Sequence, residues 1–324
     1  MLYNKVNAES AKEQYERFDK STVLSSRVLE FKGVDGLDVY NPSIPFELNG
    51  KTYIAGRVEK RNEEFSKVKF FEKKDNYYEL VESADLTLQD PFVTIIDNEI
   101  ILGGVNVTWG NGKDIETTWK TDFYKVKSPT ELIYITCGPS HMKDVRLVQL
   151  NDGKIAIFSR PQGGEIWEKF GAIARIGFTI VDSLNDVTPE VIKNAPYLEG
   201  QFLDDEWGGS NQPMILKNGL IGVIGHKSYR TYTENNEQRL HYYGMAFAID
   251  PKTRKFTQNK IIISNNCFPQ VEPKRPDLVD VTFTSGIIRN NDGTAYIYTG
   301  LSDSHVGEAL IKDPFIEYEE GIKA

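Results

Sequence analysis

The apolar positions of this chain fall in short strand-like runs that come in pairs, each pair split by a cluster of Asn, Asp and Gly. The first pair is NPSIPFEL, NGK and TYIAGRVE, from Asn41 to Glu59. The second is DPFVTII, DNE and IILGGVNV, from Asp90 to Val107. DVRLVQL, NDGK and IAIFSRPQ follow from Asp144 to Gln162, and SNQPMIL, KNG and LIGVIGHK from Ser210 to Lys227. The fifth is TSGIIRN, NDG and TAYIYTGLSD, from Thr284 to Asp303. Two strand-like runs around a tight polar turn predict a β-hairpin. Asn-Gly and Asp-Gly supply the positive φ angles of a type I′ turn; at Asp97-Asn98 of the second pair, Asn tolerates the left-handed region.

The turns lie near residues 50, 98, 153, 219 and 293, at spacings of 48, 55, 66 and 74. A four-stranded propeller blade takes about 40–50 residues, so the spacings fit or exceed one blade. Further strand-like material follows the hairpins: VKFFEKK from Val68 with YYELVE, TDFYKVK from Thr121, GAIARIGFTIV from Gly171 and YYGMAFAID from Tyr242. The pattern predicts an all-β fold, a five-bladed β-propeller with a short N-terminal helical extension. An irregular β-sandwich is the bland alternative, and it does not explain the common register. Length alone suggests about two domains; the repeat replaces this with one propeller domain over residues 31–324 and an extension over residues 1–30 packed on it. The extension carries a polar helical stretch, Ala8 to Phe18. A second helix is predicted at Thr188 to Asn194, with Thr188 as N-cap and Pro189 at the first helical position.

Composition removes whole classes of function. Lys plus Arg total 38 and Asp plus Glu 47, a formal charge of −9. A nucleic-acid binder needs a basic footprint, so that class is set aside. Hydrophobic residues at 40% and charged residues at 26% suit a globular protein. Aromatics make up 11% of the chain and only 4 residues are Met, which favours strands. Cys137 and Cys267 show neither metal spacing nor a disulfide framework, so a reducing, cytoplasmic setting is the expectation. The four histidines, His141, His226, His241 and His305, form no close metal-binding pair. The N-terminal residues lack the apolar stretch of a signal peptide, and no apolar run is long enough to span a membrane.

The register then points to chemistry. Seven residues beyond the turn glycines Gly50, Gly153, Gly219 and Gly293 lie Arg57, Arg160, His226 and Gly300. In a propeller this is one height near the axis. Cationic or ionisable groups at the ends of apolar runs need partners. Nine residues before the same glycines lie Asn41, Asp144, Ser210 and Thr284, and Asp90 holds the matching place in the second pair. Acids also lie just upstream, at Asp38, Glu206 and Asp280. Taken singly, each has an ordinary explanation: Asp90-Pro91 as a turn initiator, Asp144 as a loop cap, the arginines as structural ion pairs, Lys143 as a solvated charge. Together, in register, they predict a mixed-charge pocket. The loop Trp207-Gly208-Gly209-Ser210-Asn211 adds an aromatic that either stacks on a sugar or packs.

These motifs resemble those of the five-bladed propeller glycosidases, most of all the mannoside phosphorylase and β-mannosidase family. The resemblance runs from about Asp38 to Asp303 and rests on NPSIPFELNGKTYIAGR, LQDPFVTIIDNEIIL, SRP, GGSNQPMILKNGLIGVIGH and TFTSGIIRNNDGTAYIYTGLSD. More narrowly, GLDVYNPSIPF, AGRVEKR, LQDPF, RPQGG, EWGGSN, KRPDLVDVTF and SDSHVGEALIKDPF resemble an uncharacterised propeller family, a domain of unknown function grouped with the arabinanase and fructosidase superfamily. The resemblance implies a catalytic acid at Asp90, where the family motif Glu-Asp-Pro-Arg reads Gln89-Asp90-Pro91-Phe92. It implies phosphate contacts at Arg160 and His226, a matching arginine at Arg57, and a tyrosine at Tyr242 or Tyr243. Lys143, Asn211, Trp207 and Asp303 complete the expected substrate- or phosphate-binding set.

Three readings follow. An inverting glycosidase or glycoside phosphorylase would act on a small oligosaccharide such as a β-mannoside, with Asp90 as general acid. Phosphate would attack the anomeric carbon if the cations bind it; otherwise water would, activated by Asp38, Asp144 or Glu206 at about 6.5–9.5 Å from the acid. No metal or organic cofactor is required, and a homo-oligomer is left open. The second reading is a non-catalytic propeller binding a glycan or sugar phosphate, and the third a protein-interaction propeller.

Overall fold

The computed structural model describes residues 1–113, 115–170 and 173–321. All five expected hairpins form as antiparallel pairs: Phe46–Leu48 with Lys51–Glu59, Gln89–Ile96 with Glu99–Thr108, Arg146–Gln149 with Ile155–Ser159, Trp207–Ile215 with Ile221–Tyr232, and Asp280–Arg289 with Thr294–Leu301. The first two turns have positive φ at both central residues, Asn49-Gly50 and Asp97-Asn98, as a type I′ turn requires.

The hairpins belong to four sheets. The first hairpin sits in a six-stranded sheet with Asp38–Tyr40, Lys67–Lys73, Tyr78–Leu80 and Phe31–Lys32. The second continues into Thr118–Ser128 and Glu131–Cys137 as a four-stranded sheet, and the third into Gly177–Val181 as a three-stranded one. Of the run expected from Gly171, residues 171 and 172 lie outside the described residues, as do residues 322–324 of the expected domain. The fourth and fifth hairpins share an eight-stranded sheet. Its two halves meet through two parallel pairs, His241 with Asp280 and Tyr242 with Val281.

Apolar residues fill the spaces between successive groups of strands. Phe46, Tyr53 and Phe70 of the first sheet pack with Leu88, Val93 and Leu102 of the second region. Phe92 and Phe123 then meet Val145 and Ile157, Phe158 and Phe178 meet Val223 and Phe247, and Ile224 and Ala246 meet Ile287 and Ile297. A fifth cluster joins Tyr298 and Val306 near the end of the chain to Val39, Ile54 and Phe71 of the first sheet.

Both predicted helices are present in shorter form. Ala11–Glu16 is capped by Ser10, and Pro189–Lys193 by Thr188, whose hydroxyl accepts from the Val191 N–H at 3.3 Å. The pattern shows only a helix within residues 1–30, whereas the structure adds a strand there, Val23–Val28, paired antiparallel with His305–Lys312. Its outer position leaves most of its side chains exposed or half-buried, so no apolar alternation marks it.

Candidate active site

The second strand of each hairpin runs from its turn towards one end of the molecule. There Arg57, Asp90, Lys143, Asp144, Arg160, His226, Tyr242 and Asp303 line a cavity of about 230 Å³. Asn41, Glu64, Gln89, Arg275 and Phe283 share its wall. Larger clefts exist, one of about 520 Å³ between Leu150–Lys154 and Pro251. That cleft lies at the turn end of the hairpins and contains none of the residues in register.

Backbone geometry explains how carboxylates reach the cavity. Asn41, Asp90, Asp144 and Asp303 all have left-handed φ, between 42° and 59°. Asp90 does so ahead of a proline, within an irregularity between Gln89 and Phe92 that turns it out of the ladder. Strained backbone of this kind costs about 1–3 kcal/mol per residue and clusters at functional sites. The absence of a side chain at Gly300 is equally specific, because a Cβ there would lie 1.8 Å from Asn41 Oδ1. Asn41 is thereby free to donate from Nδ2 to Asp90 Oδ1 at 2.8 Å.

On one wall Arg57 is buried among acids. It donates to Asp90 at 3.2 Å, to Glu59 at 2.9 Å and to Glu64 at 3.1 Å. Burial alone would lower its pKa; Asp90, Tyr40 and Glu59 outweigh that, and it stays firmly cationic. Lys274 reinforces the wall through Glu59 and, at 2.9 Å, Glu64. On the opposite wall Arg160 donates to the Gly208 carbonyl at 2.7 Å and lies 3.3 Å from Asp144. Arg146 approaches the same carboxylate at 3.7 Å. Burial would raise the Asp144 pKa, but Arg160 and then Arg146 bring it down to about 2. Burial in turn lowers Arg146 to about 10.

His226 Nδ1 lies 2.8 Å from Asn211 Oδ1, and its ring stacks with Tyr242 at 5.8 Å between centroids. Burial first, and Arg160 second, push its pKa down to about 3, so the imidazole is neutral at neutral pH. With Asn211 Oδ1 accepting the Nδ1–H, Nε2 remains as an acceptor. Tyr242 in turn accepts from Trp207 Nε1 at 2.9 Å. Asn211 and Trp207 therefore stand behind the cavity wall and hold the two rings that form it. Between the candidate tyrosines the strand alternation decides: Tyr242 faces the cavity, and Tyr243 turns away to donate to Asp280 at 2.9 Å.

Besides Asn211 and Trp207, expected ligand contacts, two more expected residues do not line the cavity. Asp38 is bound by Arg61 outside the cavity. Glu206 accepts from the Leu203 N–H at 3.0 Å and the Ala11 N–H at 2.5 Å, and pairs with buried Lys227 at 3.3 Å. It anchors the N-terminal helix rather than facing a substrate. Among residues the register does not single out, Glu59 shares the face of Arg57, two places along a strand, so the period of two could have found it. Lys274, Arg275 and Glu64 come from loops without a repeat. Among the described residues, no group of three His, Cys, Asp or Glu side chains is placed to hold a metal ion.

Asp303 is half-buried beside Arg57 and Asp90. Burial raises its pKa to about 6, with Arg57 opposing and Asp90 assisting. An unfolded Asp titrates near about 3.9. The folded chain thus holds the extra proton between those values, and its stability falls as pH rises through that window. Asp303→Asn is expected to melt above wild type at pH 8, by about 1–3 kcal/mol, and to lose that margin by pH 4. Calorimetric melting across pH checks this.

Residues 16–317 match the family described as a protein of unknown function, DUF1861. The chain belongs to this family. Among solved structures, the DUF1861 chain is 39% identical to a mannose phosphorylase from Leishmania mexicana in complex with a phosphate ion, with a TM-score of 0.85 and 94% and 93% of the two chains covered. It is 38% identical to a GDP-Man-dependent mannosyltransferase from the same organism, with a TM-score of 0.83 and 94% of each chain covered. A β-1,2-mannobiose phosphorylase from Listeria innocua shares the fold at 17% identity, with a TM-score of 0.63 over 88% and 93% of the chains. A comparison with curated proteins gave no match. None of the DUF1861 chain's helices is long and apolar enough to cross a membrane, among the described residues.

Proposed function

We propose that the chain is an inverting mannoside phosphorylase working at the axis of a five-bladed β-propeller. The five hairpins and the five apolar clusters between them, the last joining the end of the chain to its beginning, support the propeller. On this reading residues 31–324 are one domain, and the strand Val23–Val28 completes the fifth blade. The observation that carries the function is one cavity lined by Asp90 and Arg57 together with Lys143, Arg160 and a neutral His226. The 39% identity to a mannose phosphorylase that holds phosphate supports the same reading.

Each residue then has a role. Arg160 and Lys143 take the phosphate oxygens, the first with a planar fork and the second as a point charge. His226 Nε2 accepts a hydrogen bond from a phosphate or sugar hydroxyl. A phosphate oxygen attacks the anomeric carbon as its bond to the leaving oxygen breaks, and Asp90 supplies the proton that oxygen needs, directly or through a sugar hydroxyl. Arg57 and Asn41 fix Asp90, while Asp303 and Tyr242 contact the sugar. A β-mannoside gives α-mannose 1-phosphate by inversion.

Water is the weaker nucleophile here because the expected bases are unsuited. Asp38 and Glu206 lie outside the cavity, and Asp144, ionised down to about pH 2, has little affinity for a proton. Transfer from GDP-mannose is the second reading, prompted by the 38%-identical mannosyltransferase. Two parallel assays separate the readings: mannobiose with phosphate, and GDP-mannose with mannose. The expected result is phosphate-dependent cleavage in the first, with no GDP release in the second. GDP release alone would replace phosphorolysis by transfer, and inertness in both would favour a binding propeller.

A further inference from the structure

The cavity volume of about 230 Å³ is below the ~300–1,000 Å³ of an ordinary small-molecule pocket. On the phosphorylase reading that volume has room for about one sugar ring with a phosphate, so a longer glycan would continue over its rim. Beside the cavity stand two exposed aromatics. Phe65 is 64% and Trp109 39% exposed, and their rings meet at 5.0 Å between centroids, inclined by 52°. Phe65 lies in the loop after Lys51–Glu59, the strand of Arg57. Trp109 directly follows Glu99–Thr108, so each aromatic stands at the cavity end of its hairpin.

The pair is joined to the cavity by shared residues. Glu64 and Gln89 line the cavity and also a small recess beside Trp109. The Gln89 side chain donates to the Glu64 carbonyl at 3.2 Å, and Glu64 is held by Arg57 and Lys274. The loop carrying Phe65 is therefore anchored to the cavity wall. Exposed aromatics of this size, next to a polar cavity and flanked by hydrogen-bonding groups, mark a ligand surface.

We propose that Phe65 and Trp109 form an outer subsite that stacks on a sugar ring of a manno-oligosaccharide whose terminal unit occupies the cavity. The subsite rests on the phosphorylase reading and adds the substrate class: chains longer than a disaccharide. The apolar C–H face of a hexose lies against an aromatic ring, while Glu64 and Gln89 accept and donate hydrogen bonds at its hydroxyl edge. The rings are inclined rather than parallel, so they do not form the flat slot a nucleobase requires. The neighbouring Glu64 carboxylate is also a poor companion for a diphosphate.

The test measures phosphorolysis of manno-oligosaccharides of two, three and four units at saturating inorganic phosphate. In the wild type, kcat/KM should rise about three- to tenfold with the added units, the size of one aromatic stacking contact. Trp109→Ala and Phe65→Ala should flatten that dependence through KM, and Trp109→Phe should restore most of it. Chain-length dependence unchanged in both alanine variants, or absent from the wild type, overturns the subsite. A parallel fluorescence titration of the Asp90→Asn protein with mannotetraose reads binding without turnover. Quenching that disappears on adding Trp109→Phe supports the subsite even if every mannoside proves inert, an outcome that removes only the phosphorylase reading. Quenching by GDP but not by mannotetraose replaces the sugar with a nucleobase.

Discussion

Asp90→Asn is expected to lower kcat for mannoside cleavage by about 10²–10⁴-fold, the usual contribution of a positioned proton donor. The substitution keeps the side-chain shape, and Asn tolerates the left-handed φ of 49° at this position. It also keeps an oxygen to accept from Asn41. Arg57 loses one carboxylate but retains Glu59 and Glu64, so the wall should stay folded. Binding of the disaccharide, measured by calorimetry, should change only a few-fold. A variant that kept a tenth or more of wild-type kcat would remove Asp90 from the proton-donor role. A loss of sugar binding in step with turnover would instead make Asp90 a substrate contact.

The largest stability effect is expected at Asp144. Its carboxylate is the counter-ion of two buried arginines, Arg160 at 3.3 Å and Arg146 at 3.7 Å. Among the described residues, Arg146 otherwise bonds only to the carbonyls of Asn211 and Val145, and it lies over the Phe92 ring. Asp144→Asn leaves both guanidinium groups in a poorly solvated interior without their negative partner. Breaking a buried pair from one side costs about 3–5 kcal/mol, read as a lower urea midpoint with an unchanged slope. The pH dependence has a definite sign. Asp144 has a folded pKa of about 2, below the unfolded value near about 3.9. Its contribution is complete above the unfolded value and is lost as pH falls towards 2. The variant should lack that acid limb. A destabilisation under about 1 kcal/mol would show that Asp144 does not compensate the two arginines.

Most of the cavity could be read from the sequence because hairpins convert counting into geometry. Seven residues along an extended strand from a tight turn reach one height, which is why Arg57, Arg160 and His226 converge. The upstream count gives Asn41 and Asp144, with Asp90 at the matching place, and also Ser210 and Thr284, which do not line the cavity; the first three share a property that counting does not show, a left-handed conformation. Gly300, in the position that Arg57, Arg160 and His226 hold on three other hairpins, is explained by the approach of Asn41.

The failures have physical causes too. Asp38 and Glu206 are close in sequence to cavity residues, but nearness along a strand does not fix the face. Asp38 meets Arg61, and Glu206 meets Lys227 and the N-terminal helix. Lys274 and Arg275 reach the site from a long loop, where no period constrains position. The strand Val23–Val28 was illegible because its outward side chains carry no apolar alternation.

The central claim is that phosphate, held opposite Asp90, is the nucleophile. Phosphorus NMR of the products of β-1,2-mannobiose cleavage tests it most directly. The account predicts α-mannose 1-phosphate and one equivalent of mannose, formed only when inorganic phosphate is present. Two free mannoses, released at the same rate without phosphate, would contradict it.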